Sequence, residues 1–485
     1  MHFPRHNRKP KAAAERHGSR RFLLPVVLVA QFMVIIDISA VNIALPDLAK
    51  DLRIGGAEIS WTITSYSLLF GSLLLLGGRA ADVLGRRRLF FSGLTVFTAS
   101  SLLSALAGSA GVLFAARAGQ GLGAAMLSPA ALSIVTNAFD GAERTKALAA
   151  WGVAGGAGGA VGMILGGVLT ELAGWQAIFL INLPVALAVV AAGLRVLPAD
   201  DRRPQWQGLD VRGALLATGS LAALVFSITQ ASTAGWGSAQ TLGLGGAGLL
   251  GLAAFGALER RTARPLLRVG RLADRAVGGG FALMLVTSAV LFGTFLLTSL
   301  FLQEVRGARA LETGLAFLPL GLTTGLGAHA GGRVINRVGV RITMAAGFAV
   351  AAAGTLLLSG VDAGSSYLGD LVPGMLVAGV GLGLVLVSAG VAILTGARPE
   401  ESGMLSGLNT TGHEVGGALG VAALVTIASA AGAGPGHVSA AGIGDAFLAA
   451  GLLAAAGAVA AALILPPARA FLPKLRLAPS PVPIH

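Results

Sequence analysis

Apolar runs about twenty residues long, divided by short polar stretches, recur from one end of this sequence to the other. A helix needs roughly 20 mostly apolar residues to cross the hydrocarbon core of a bilayer. Candidates lie at 22–45, 59–78, 89–108, 111–136, 147–170 and 175–194, then at 213–230 and 237–258, then at 277–302, 312–330, 342–361, 369–395, 403–430 and 444–466. The pattern predicts fourteen transmembrane helices and an all-α membrane protein. The segments at 237–258 and 444–466 owe their hydrophobicity to many Gly and Ala residues instead of Leu and Ile.

Composition agrees with lipid as the main solvent: mean hydropathy is +0.79, and 54% of residues are hydrophobic against 12% charged. The 72 glycines suit membrane helices, which use small residues to bring backbones together. With no cysteine there is no disulfide framework, thiolate metal site or cysteine nucleophile.

The net charge of +13 raises the question of nucleic acid, and position answers it. With the amino terminus placed in the cytoplasm, thirty of the 35 Lys and Arg residues fall in the tails and loops on that side, starting with seven between Arg5 and Arg21. Only Lys50, Arg53, Arg306 and Arg309 fall outside, and Arg117 lies within a span. This is the positive-inside bias. It predicts both termini in the cytoplasm and assigns the basic charge to topology, so no nucleic-acid partner is expected. No cleavable signal peptide is expected either, since the first apolar stretch is of full spanning length.

The stretch Gly78-Arg79-Ala80-Ala81-Asp82-Val83-Leu84-Gly85-Arg86-Arg87-Arg88 is echoed by Gly332-Arg333-Val334-Ile335-Asn336-Arg337-Val338-Gly339-Val340-Arg341. Each follows the second span of a six-span block, so the chain divides into two related six-helix bundles at 22–194 and 276–466. An inserted helix pair with its flanking loops lies between them at 195–275, with a basic tail at 1–21 and a second tail at 467–485. Transporters built from such repeats bind substrate between the halves, near the midplane.

Four segments together resemble the major facilitator superfamily, and within it the fourteen-helix drug:proton antiporter branch. The first is Ile36-Asp37-Ile38-Ser39-Ala40-Val41-Asn42-Ile43-Ala44-Leu45-Pro46 in span one. An ionised carboxylate at that depth is costly, so Asp37 is expected to face a cavity or a partner and to take up and release protons. The second is the Gly78 to Arg88 loop, similar to the family's G-x-x-x-D-x-x-G-R-[RK] pattern. Here Gly78 and Gly85 permit close approach and a tight turn, Asp82 suits a helix amino end, and Arg86 and Arg87 pair with acids. The resemblance implies a cytoplasmic gate latch.

The third segment, Arg117-Ala118-Gly119-Gln120-Gly121-Leu122-Gly123-Ala124-Ala125, is similar to R-x-x-Q-G-x-G-A-A. Arg117 is expected to tune a nearby acid electrostatically, the alternative being a side chain that snorkels to the interface. The fourth is the glycine ladder Gly158, Gly162, Gly166 and Gly167 in span five, which resembles the antiporter motif except that Met163 replaces a customary proline. Two further stretches fit the branch. Gly174-Trp175-Gln176-Ala177-Ile178-Phe179-Leu180-Ile181-Asn182-Leu183-Pro184 carries Gln176 where Arg is usual. Ser402 to Gly417 carries His413-Glu414 where Arg-Gln is usual, and that pair offers a second protonation site or a ligand for a cationic substrate.

The rival classes are weaker. No lysine follows a glycine, so the ATP-binding pattern G-x-x-x-x-G-K-[ST] is absent. The histidines are scattered instead of clustered with acids at a membrane face, against a membrane-embedded transferase. The reading is therefore a proton-coupled exporter of small amphipathic or cationic molecules, with a transporter of one metabolite as runner-up. It needs no cofactor beyond the proton gradient, no metal and no enzyme activity, and a monomer is expected. Gln31, Phe32, Trp61, Tyr66, Gln120 and Asn409 are candidate cavity residues. Thirty arginines against five lysines with abundant Ala and Gly point to a GC-rich bacterial gene, hence to the bacterial plasma membrane.

Overall fold

The computed structural model describes residues 9–54, 61–200, 210–263, 265–308, 310–398, 401–430 and 439–471. Most of the basic tail's side chains, the loop at 201–209, the outer-loop residue Arg309 and the end of the chain from 472 lie outside the described residues.

Helices α1 (Lys9–Asp51), α2 (Trp61–Leu84), α3 (Arg86–Ala105), α4 (Ala110–Ala138), α5 (Gly141–Ala173), α6 (Gln176–Leu180) and α7 (Asn182–Val196) form the first half. Then come α8 (Val211–Ala234) and α9 (Ala239–Glu259). The second half comprises α10 (Val277–Leu300), α11 (Ala310–Ala316), α12 (Leu318–Val338), α13 (Val340–Leu358), α14 (Val372–Leu394), α15 (Ser402–Ala430) and α16 (Ala440–Ile464). Among the described residues 11 helices are long and apolar enough to cross a membrane. The remaining three expected spans fall on α5, α8 and α12, with shorter apolar stretches described at Val161–Ala173 in α5 and Arg212–Ile228 in α8.

Lipid gives apolar helices little reason to leave it for one another, so close backbone packing must hold the bundle. Glycines supply it. A Cβ on Gly381 of α14 would overlap the backbone nitrogen of Ala351 in α13, and one on Gly383 would overlap the Thr324 carbonyl of α12. In the first half, Gly77 and Gly121 join α2 to α4 in the same manner, against the carbonyls of Ala125 and Tyr66.

The internal repeat is visible in the backbone. Gly85 and Gly339, 254 residues apart, both connect the second and third helices of their block, with φ of 107° and 83°. That region is closed to side chains with a Cβ, so glycine is required at both. Gly78 and Gly332, at the same offset, both lie where the halves meet. A Cβ on Gly78 would overlap the Gly403 carbonyl of α15, and one on Gly332 would lie 2.8 Å from the Ala149 Cβ of α5. The halves thus touch along two seams, α2 with α15 and α12 with α5.

The inserted pair is unequal. Helix α8 packs on α2 and α15, with Phe226 5.9 Å from Trp61 and the Trp236 indole donating to Thr426 Oγ1 at 2.6 Å. Helix α9 reaches the bundle mainly through α8, and its Leu242, Leu249 and Leu250 face outward.

Gly381→Val is expected to cost about 1–3 kcal/mol through forced separation of α13 and α14, lowering the melting temperature of the purified protein by several degrees. Gly246→Ala, on α9 with nothing within 4 Å of the added methyl, is expected to change stability by less than about 1 kcal/mol in either direction. Equal effects at both positions would overturn the packing argument.

Candidate functional site

Asp37 lies at the middle of the apolar part of α1 and is 0% exposed. Arg117, 1% exposed on α4, donates from Nη1 to Asp37 Oδ2 at 2.6 Å, to Gln120 Oε1 at 2.9 Å, and from Nε to the Thr62 carbonyl at 3.1 Å. Arg117 is thus buried against Asp37 and does not snorkel to the interface. Asp37 Oδ1 accepts from the side-chain amides of Gln120 at 3.0 Å and Asn182 at 2.8 Å. Both amides also donate to Ser101 Oγ, which donates to the Phe179 carbonyl at 2.9 Å. The Tyr66 ring covers the guanidinium at 4.4 Å.

A carboxylate so enclosed is stable only because each oxygen accepts a charge-assisted bond. Six helices contribute: α1, α2, α3, α4, α6 and α7. Asn182 is not among the candidates the sequence suggests, although it stands in the Ile181-Asn182-Leu183-Pro184 run, where an amide in an apolar run is the available signal. Gln120 and Tyr66, expected in the substrate cavity, belong to this network. Trp61 turns toward the inserted pair, Phe32 packs against Gly158, and Gln31 and Asn409 are buried with their side-chain oxygens unpartnered.

A second site lies at the end of the bundle that carries the basic loops. Asp82 accepts from the backbone nitrogens of Gly403 at 2.9 Å and Met404 at 3.0 Å, so its charge sits on the amino end of α15, where the helix dipole and free N–H groups favour an anion. Arg86 approaches the same carboxylate at 3.4 Å. Asn137 and Ser133 of α4 meet Ser402 Oγ at 2.6 and 2.9 Å. Arg87 serves its own half, donating to the Leu194 carbonyl at 2.9 Å. Asp200, unnoticed in the sequence, accepts from the backbone nitrogens of Arg87 and Arg88 at 3.1 and 3.0 Å and caps α3. Glu401, also unnoticed, is held by Arg268 at 2.7 Å and Arg271 at 3.7 Å.

The glycine ladder seats α5 on α1. Gly158 meets Ile35, Gly162 meets Ser39 and the Ile36 backbone, and Gly166 meets Ala40; Gly167 is buried beside them. Met163, in place of the customary proline, packs against the hydrophobic cluster that fills the second half and extends across the seams. Gln176 donates to Asp51 at 3.3 Å alongside the Trp175 indole at 2.8 Å, so an amide takes up part of the acceptor that an arginine would engage. His413 is hydrogen-bonded through Nδ1 to Ser288 Oγ at 2.6 Å, its ring 5.1 Å from that of Phe292. No metal-binding group of three or more His, Cys, Asp or Glu residues occurs among the described residues.

Two helical halves meeting along two seams, with a charged pair enclosed at membrane depth and a polar clasp at one end, define a polytopic membrane transporter. The chain belongs to the Major Facilitator Superfamily, whose model matches residues 27–421. It is similar to the puromycin resistance protein pur8 of Streptomyces alboniger, 39% identical over 87% of this chain and 84% of that one. It is also similar to the cephamycin export protein CmcT of Amycolatopsis lactamdurans, 36% identical over 88% of each. The multidrug resistance protein Stp of Mycobacterium tuberculosis is 32% identical over 82% of this chain and 74% of that one. The fold is shared with the human organic anion transporter MFSD10, at a TM-score of 0.64 and 20% identity over 91% of this chain and 99% of that one. It is shared too with FucP in the outward conformation, at a TM-score of 0.60 and 12% identity over 91% and 98%.

Asp37→Ala and Arg117→Ala are each expected to cost about 3–5 kcal/mol, since each strands a buried charge, and the double variant much less than their sum. A thermal double-mutant cycle on purified protein measures the coupling; additive losses would show that the pair is not a unit. For the clasp, the chain's lack of cysteine permits a single reporter. Ser133→Cys is expected to react with a maleimide severalfold faster when Asp82→Asn is added, and an unchanged rate would remove Asp82 from the closure.

Proposed function

We propose that this protein exports small amphipathic or cationic molecules, antibiotics among them, across the bacterial plasma membrane in exchange for protons, by alternating access. The observation that carries the reading is the enclosed Asp37–Arg117 pair, with both ends of α2 tied into machinery. Near its start the Thr62 carbonyl accepts from Arg117; near its end Asp82 holds α15. A proton on Asp37 cancels the charge that Arg117 balances and removes an acceptor from the network. The guanidinium must then reorient, and α2 shifts with it. That links protonation to release of the clasp, and an ion-driven cycle needs such a link. The basic-loop end is assigned to the cytoplasm by the charge asymmetry, with both termini there. The protein acts as a monomer without a cofactor.

A narrower reading has specific support: pur8 and CmcT carry the names of single antibiotics, whereas Stp is named for many. A resistance panel that includes puromycin, in an efflux-deficient host, separates one exported compound from many. Coupling is tested in proteoliposomes under an imposed pH gradient with a compound taken from that panel. Asp37→Asn is expected to abolish gradient-driven accumulation. Retention of accumulation by this variant would sink the proton role of Asp37, and failure of the unmutated protein to move any panel compound would sink export itself.

A further inference from the structure

Among the described residues, Asp37 and Glu414 are the carboxylates near the middle of the spans, and Arg117, His413 and the exposed His329 of α12 are the basic groups there. Asp37 and Arg117 compensate each other at 2.6 Å. His413 is fastened to α10 through Ser288 and Phe292, and neighbours in sequence on a helix do not face each other, so it offers Glu414 no counter-charge. Glu414 receives no hydrogen bond or ion pair from any described residue, and it keeps some accessible surface inside the bundle. Among the described residues the interior therefore holds one carboxylate without a partner, where an unpaired charge costs several kcal/mol.

Its position is set by the helix period. On α15, Gly403 and Gly407 meet α2, at Gly78 and at Leu74, while Gly412, Gly416 and Gly420 meet α10. Glu414 comes seven residues after Gly407 and eleven after Gly403, two and three turns along the α2-facing stripe. It thus looks into the seam between the halves. Thr411, one turn earlier on that stripe, has a buried hydroxyl without a partner. Across the seam, Tyr66 lies within electrostatic reach of Glu414, and its buried hydroxyl is also unpartnered. One carboxylate with two hydroxyls and an aromatic ring is too poor in ligands for a hard metal cation, which needs about six oxygens. It suits a large, weakly hydrated organic cation.

We propose that Glu414 is the charge-selecting residue of the substrate site, pairing with a lipophilic organic cation held between α2 and α15. The assignment rests on the exporter reading for its biological use, but the binding it requires is measurable without transport. The probe is tetraphenylphosphonium, a permanent cation, with tetraphenylborate as its charge-inverted isostere. Each is titrated into the purified full chain in nanodiscs, with protein-free nanodiscs as background. The expected result is saturable binding of tetraphenylphosphonium in preference to tetraphenylborate. Glu414→Gln is expected to weaken cation binding roughly tenfold or more, Glu414→Asp to retain most of it, and Glu414→Lys to invert the preference. Retention of melting temperature by Glu414→Gln separates loss of the site from loss of the fold, and rescue by aspartate does so independently.

Absence of saturable binding to the unmutated chain overturns the proposal. So does undiminished binding to Glu414→Gln, which assigns the carboxylate to proton carriage instead. Binding with these properties in a chain that moves no panel compound leaves the site standing and removes export; export of neutral compounds alone, with no cation bound, does the reverse.

Discussion

A single enclosed ion pair sets the terms for the first half of the molecule. Asp37 and Arg117 are isolated from water on α1 and α4, and neither is tolerable at that depth without the other. The geometry that makes the pair tolerable recruits Thr62, Ser101, Gln120 and Asn182 from four helices, so their relative positions are fixed by one charge balance. Lipid supplies no alternative partners for these groups. A change in that balance must therefore be met by helix movement, since both charges are fully buried.

The two seams between the halves use the repeat differently. Gly78 and Gly332 are equivalent in sequence and both lie at a crossing between halves. Their downstream partners diverge: Asp82 reaches across to the backbone of α15, whereas Asn336 donates to the Gly332 carbonyl of its own helix. An anion on a helix amino terminus gains from both dipole and hydrogen bonds; an amide turned back on its own helix gains nothing across the seam. The α2–α15 seam is consequently clasped by charge, and the α5–α12 seam rests on the fit of small residues.

Legibility in the sequence followed the range of each interaction. Helix positions depend on local apolar length, and each expected span falls on a helix. The repeat was readable because glycine at a positive φ and at a close crossing leaves a fixed letter at a fixed spacing. The partners of charged groups were less readable. Asp200 and Glu401 act on helix ends and arginines that are distant in sequence, and nothing in their immediate neighbourhood announces it. Gln120 and Tyr66 were visible as polar groups in a span, but whether such a group lines a cavity or completes a network depends on the facing helix. Asn182 marks the limit: its motif was on the page, and only its distance to Asp37 gives it a task.

The inserted pair, without a motif of its own, acquires meaning from where it packs. Helix α8 touches α2 and α15 together, with Phe226 beside Trp61 at one and Trp236 hydrogen-bonded to Thr426 at the other. The segment that follows α9 returns to the same seam, where Arg268 and Arg271 hold Glu401 directly before α15. The seam that carries the charged clasp is therefore also the one the insertion straps. Separating α2 from α15 must carry α8 with one of them or break its contacts with the other. Among the described residues the α5–α12 seam bears no such strap, so an opening motion meets different resistance on its two sides, and it is asymmetric even though the halves are related by repeat.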